Sequence, residues 1–192
     1  MSKVAAQTAE EVCRLASSGG HALTAPPGES LVGFLQHLIS AAQFKEAIEF
    51  LAFALPKREA VWWACLCARS QLEDHAARTD LAALEAAESW VYKPTEENRR
   101  AAMACAHATK FDTPSAWAAV GAFWSAGSIA PPDGAVVQPA PHLAGVAVAG
   151  AVALAAVQRE PTMADQKRQR YIEMAIDIAN GGNGRLDTRS KM

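Results

Sequence analysis

Apolar positions along the chain recur at three- and four-residue intervals and almost nowhere in strict alternation. Phe44, Ile48, Leu51 and Leu55 stand four, three and four residues apart, which lines them along one face of a helix. Pro56 ends or sharply bends that helix. Lys57-Arg58-Glu59 then opens a run of nine apolar residues, Ala60 to Ala68, with Trp62 and Trp63 side by side. A helix that is apolar all round leaves no face for water and must be enclosed by other helices. This one is therefore predicted at the centre of an all-helical domain.

Helix punctuation continues on both sides. A short helix is expected near Thr8–Ala16, followed by a Ser/Gly/Pro-rich link to Gly28 and a helix from Glu29–Ser30 to about Ala42. Thr79 or Asp80 can cap a helix that carries Leu81, Leu84 and Val91 on one side and is closed by Pro94. Thr95 begins another, with Glu96 and Glu97 in the first turn, where carboxylates favour the positive end of the dipole. Thr113 followed by Pro114 is a further start. Ser125 to Pro141 carries four prolines and is predicted as an extended loop. Helices over Leu143–Arg159 and about Thr162–Ala179 follow, then a tail whose composition predicts disorder.

The fold class expected from this pattern is all-α: a compact orthogonal bundle of seven to eight helices with solenoid-like hairpins. The hairpin idea rests on two helix–proline–helix units offset by 38 residues, at Pro56 and Pro94, and on Gln43-Phe44-Lys45-Glu46-Ala47-Ile48, which looks like half a tetratricopeptide unit. The domain plan is a short helix and flexible link over residues 1–28, one helical domain over 29–180, and a disordered tail over 181–192.

Composition excludes several function classes. A formal charge of −2 supplies no field to draw the chain to nucleic acid or an anionic membrane. The apolar run Leu143 to Val157 is fifteen residues long, short of the roughly 20 that a spanning helix needs. No membrane insertion is expected. Glu10 and Glu11 interrupt the N-terminal stretch where an export signal needs its apolar segment. A cytoplasmic location is expected, and free thiols at Cys13, Cys65, Cys67 and Cys105 fit a reducing compartment.

Candidate chemistry is sparse. Cys65 and Cys67 lack the two-residue gap of zinc and redox motifs, and on a helix they point about 200° apart. His21, His37, His75, His107 and His142 are scattered, with no His-Glu-x-x-His pattern. Gly181-Gly182-Asn183-Gly184 follows a helix, whereas a phosphate-cradling loop precedes one. No catalytic residue, metal or cofactor is expected, and the chain is not expected to be an enzyme.

Two polar groups stand out, Lys57-Arg58-Glu59 and Glu97-Asn98-Arg99-Arg100, because they occupy equivalent first turns of the two hairpin helices. They form either an ion-pair network between helix starts or a charged recognition surface. Of the tryptophans Trp62, Trp63, Trp90, Trp117 and Trp124, most suit a core, whereas Trp124 adjoins the loop Ser125-Ala126-Gly127-Ser128-Ile129-Ala130-Pro131-Pro132. An aromatic beside a long proline loop is a reasonable docking edge.

The strings Leu55-Pro56-Lys57-Arg58-Glu59-Ala60-Val61-Trp62-Trp63-Ala64-Cys65, Glu97-Asn98-Arg99-Arg100-Ala101-Ala102, Thr113-Pro114 with Trp117, and Phe123-Trp124-Ser125 with Ala130-Pro131-Pro132 resemble an uncharacterised alanine-rich bacterial family, a domain of unknown function. Members of that family are often encoded near type VI secretion components. The resemblance covers about Phe44 to Ile178 and carries no established active site. It implies a cytoplasmic accessory, adaptor or chaperone-like, that helps a secretion apparatus handle or load an effector. The partner would be a protein, such as a secretion effector or spike component, met by Arg58, Glu59, Arg99, Arg100, Trp124, Ile129, Pro131 and Pro132. Two alternatives remain: a small-molecule enzyme with a pocket near Arg58, Glu59 and Arg100, and a structural oligomer subunit.

Overall fold

The computed structural model describes every residue except 2, 5, 74, 75 and 187–192. Its elements are α1 (Ala9–Ser18), α2 (Leu31–Ser40), α3 (Phe44–Ala54), α4 (Lys57–Arg69), α5 (Arg78–Tyr92), α6 (Glu96–Ala108), α7 (Pro114–Trp124), α8 (Leu143–Val157), a 3-10 turn at Pro161–Met163, and α9 (Ala164–Ala179). Nine α-helices and no strand occur among the described residues. The count exceeds the expected seven to eight, with α2 and α3 separate as the stretches ending near Ala42 and beginning at Phe44 predict. Ala42 takes a left-handed φ of 55° between them, which no helix continues through.

Local chemistry sets the helix starts. The side chains of Thr8, Ser30, Thr95 and Thr113 each accept the backbone N–H three residues on, satisfying a donor that the first turn leaves orphaned. The start of α5 is a correction to the sequence reading. It begins at Arg78 without a side-chain cap, and the Asp80 carboxylate accepts instead from the Thr113 hydroxyl at 2.5 Å. Of Leu81, Leu84 and Val91, expected on one side of this helix, Leu84 and Val91 are buried and Leu81 is exposed.

Helices α4, α7 and α8 pack against one another at the centre. α5 and α6 cover one flank, α3 and α9 the other, and α1 and α2 lie on α3. Trp63 is completely buried in α4, and its indole N–H donates to the Tyr171 carbonyl of α9 at 2.9 Å. Trp62, next to it, is half-buried. α7 and α8, which pack against each other, are rich in alanines with no exposed surface, including Ala118, Ala119, Ala147 and Ala151. Small side chains let the two helix backbones approach closely.

The two helix–proline–helix units differ in packing. α5 and α6 lie along each other, whereas α3 and α4 scarcely touch. No single described helix is long and apolar enough to cross a membrane. In the expected tail, the Asn183 carbonyl accepts the Trp62 indole N–H at 2.8 Å and the Leu186 carbonyl accepts from Arg170 at 3.0 Å. Its remainder, 187–192, lies outside the described residues, as does His75.

Candidate docking site

The first turn of α6 places Glu96, Arg99 and Arg100 three and four residues apart on one face. Arg99 is only 1% exposed. Its Nε and Nη2 donate to the two Glu96 carboxylate oxygens, each at 2.7 Å. Nη1 donates to the Phe123 carbonyl and Nη2 to the Ser128 carbonyl, again at 2.7 Å. The guanidinium also lies over the Phe123 ring, 4.4 Å from its centroid. Arg100 donates to Glu96 at 2.6 Å and to the carbonyls of Ala130 at 3.2 Å and Ser128 at 3.4 Å. From α4, Lys57 Nζ reaches the Ser125 carbonyl at 3.2 Å.

These contacts form a clamp on the end of α7 and the chain that leaves it. Phe123 belongs to the last turn of α7, whose unpaired carbonyls attract cations. Hydrogen bonds from Arg99, then from Arg100, hold the Glu96 carboxyl down from its ordinary 4.5 to about 2. Glu96 is therefore ionised at neutral pH and neutralises part of the paired guanidinium charge. Gly127 makes the clamp sterically possible. It has a φ of +65°, and a Cβ there would lie 2.8 Å from Arg99 Nε and from Glu96 Oε2.

Beyond the clamp the loop closes on itself. The Ser128 hydroxyl accepts from the backbone N–H of Ala130 at 3.2 Å and of Val137 at 3.0 Å, while Ile129 N–H donates to the Val137 carbonyl at 2.8 Å. Residues 131–138 project to solvent. On the stretch of loop that returns to Ser128 and Ile129, Val136 is 74% and Val137 47% exposed.

The residues anticipated for the site fall into separate places. Arg99 and Arg100 share the clamp, Ile129 lies half-buried at the loop base, and Pro131 and Pro132 are exposed just beyond it. Trp124 is half-buried and turned toward Trp117, with ring centroids 6.5 Å apart. The two charged first turns do not pair with each other; each grips the C-terminal end of another helix. Arg58 donates from Nε to the Val91 carbonyl at 2.5 Å and from Nη2 to the Tyr92 carbonyl at 3.5 Å, at the end of α5. Arg58 and Glu59 line a cleft of about 500 Å³ with Trp62 and Tyr92, and Arg100 does not. The three polar residues of the enzyme alternative thus do not converge.

Sequence reasoning passed over Glu96, Ser128, Val136 and Val137 as site residues. Only Glu96 left a signal, its spacing of three and four residues before Arg99 and Arg100. A larger open groove of about 1110 Å³ runs along α9 past Ser70, Gln71, Lys167 and Tyr171. There Tyr171 Oη lies 3.0 Å from Ser70 Oγ, and Gln71 Nε2 donates to it at 3.0 Å. Burial pushes the Tyr171 hydroxyl up to about 12, so it stays protonated. Burial likewise raises the Cys65 and Cys67 thiols. Among the described residues no three His, Cys, Asp or Glu side chains converge on a metal-sized site.

No curated protein matches the chain, and no solved structure matches it. Residues 34–179, from α2 to the end of α9, match the model of a family of unknown function. With the clamp, the loop and the central helices all inside that span, the chain belongs to the DUF6931 family.

Proposed function

We propose that this protein is a cytoplasmic protein-binding accessory that offers the 125–141 loop to a protein partner. The observation that carries this reading is a contrast within the loop: its base is gripped by a buried arginine, while Val136 and Val137, tied to that base through the backbone of Val137, keep their side chains in solvent. Apolar side chains on a pre-organised support lose little conformational freedom on docking, so more of their burial appears as affinity. Pro131, Pro132, Pro139 and Pro141 restrict the unbound loop further. Recognition falls to the exposed valines, with Arg99 as their internal support.

The resemblance to a family often encoded near type VI secretion components supplies the context. In this proposal the accessory is adaptor-like or chaperone-like, and the partner is a secretion effector or spike component. Solenoid-like pairing belongs to the same proposal at α5–α6, whose paired helices would carry the clamp as one unit.

The test is affinity purification of the tagged protein from cells assembling such an apparatus. A Val136→Asp, Val137→Asp double variant should lose the effector or spike component recovered by the unaltered protein while keeping its helical circular dichroism. A folded double variant that still recovers the same component overturns the reading.

A further inference from the structure

A second surface lies at the start of α4 and the end of α5, closed on its third side by residues 182–185. Lys3, Arg58 and Arg185 line this cleft of about 500 Å³, with Glu59 as the single carboxylate. Its volume is that of an ordinary small-ligand or side-chain pocket. Arg69, Arg100, Arg159 and Arg168 elsewhere each hold a carboxylate. Lys3, Arg58 and Arg185 hold none among the described residues. The cleft is therefore a local cationic excess on a chain whose formal charge is −2.

Its walls are aromatic. Trp62 and Tyr92 meet edge to face with centroids 6.1 Å apart, and the Arg185 guanidinium lies 5.5 Å from the Trp62 ring centroid. Tyr92 is 69% exposed, so most of its ring has no partner within the chain. The Trp62 indole N–H is already satisfied by the Asn183 carbonyl, which fixes that ring in place. Arg58 is positioned in the same way by the end of α5, with Nη1 left over as a donor.

We propose that this cleft binds a short acidic peptide segment carrying one aromatic side chain. The ring of that segment stands against Trp62 and Tyr92, and carboxylates on either side of it meet Arg58, Arg185 and Lys3. The cations are spread over three separate parts of the chain around the aromatic wall, which suits several carboxylates spaced along a peptide better than one compact anion. The site uses none of the loop residues 125–141, and the proposal stands without the loop reading.

The probe is a fluorescein-labelled five-residue peptide with a central phenylalanine flanked by glutamate and aspartate, followed by fluorescence anisotropy. Saturable binding that weakens with added salt is expected. Arg185→Ala should weaken it about tenfold, the effect of removing one charged contact at an interface. Tyr92→Ala, at an exposed position, should weaken it about fivefold or more. The Val136→Asp, Val137→Asp variant should bind the peptide unchanged, which separates this site from the loop. The glutamine and asparagine analogue should not bind. Absence of saturable binding up to about 1 mM peptide overturns the proposal. So does equal affinity in folded Arg185→Ala and Tyr92→Ala proteins, or equal affinity for an acidic peptide without the ring.

Discussion

Truncating Arg99 leaves the Phe123 carbonyl without its side-chain donor, leaves the Ser128 carbonyl only the 3.4 Å contact from Arg100, and frees the end of α7. Arg99→Ala should lower unfolding free energy by about 2–4 kcal/mol in urea titrations, the range for orphaned buried polar groups. Arg99→Lys should recover only part, because an ammonium cannot form the forked contact to Glu96. Glu96 gives the same clamp a pH signature. Its carboxyl is held below its ordinary value, so its contribution is complete above about 4.5 and is lost as pH falls toward about 2. Thermal melts over that window should show a flatter decline in Glu96→Gln than in the unaltered protein. The difference should be modest, since the Glu96 side chain is 54% exposed and solvent screens the pair. The pairing of Glu96 with its neighbours was legible as helical spacing. Its targets were not, because nothing in a sequence says which carbonyls across the fold lack donors.

At the scale of elements, punctuation was the legible part. Thr8, Ser30, Thr95 and Thr113 cap helices through the local hydroxyl chemistry that betrays them in sequence. On the face read for α5, Leu84 and Val91 are buried, whereas Leu81 stands in the first turn and is exposed. The enclosure of α4 was legible from its apolar run, and Trp63→Ala should cost about 3–5 kcal/mol in equilibrium unfolding. α8 has a tighter constraint that its sequence hides. A Cβ on Gly145 would lie 2.4 Å from the Phe53 ring of α3. Gly145→Ala gains about 1 kcal/mol of helix propensity yet should still be destabilising, since overpacking costs about 1–3 kcal/mol and the Phe53 ring is itself buried. Pairing it with Phe53→Leu should restore part of the lost melting temperature, and no rescue would mean that Phe53 is not the obstacle.

For the whole molecule, the family span begins at residue 34, yet α1 lies outside it and packs on α3. Ala9, Val12 and Ala16 are essentially inaccessible there. The link to α2 is also anchored, with Leu23 buried and His21 Nδ1 3.2 Å from the Glu49 carboxylate. Deleting residues 1–18 should therefore lower stability by at least about 2 kcal/mol, from the apolar surface uncovered on α3. A truncated chain that melts with the full one would make α1 an ornament on a self-sufficient domain.

The small buried residues of the packed pair α7 and α8 have a mechanical consequence. Alanine and glycine have no χ angle to rotate, so side chains changing rotamer absorb little of a push on one helix. It moves the other helix bodily. The clamp sits at the end of α7, and a load taken up by the loop is delivered through Phe123 to α8 as a displacement of the whole rod.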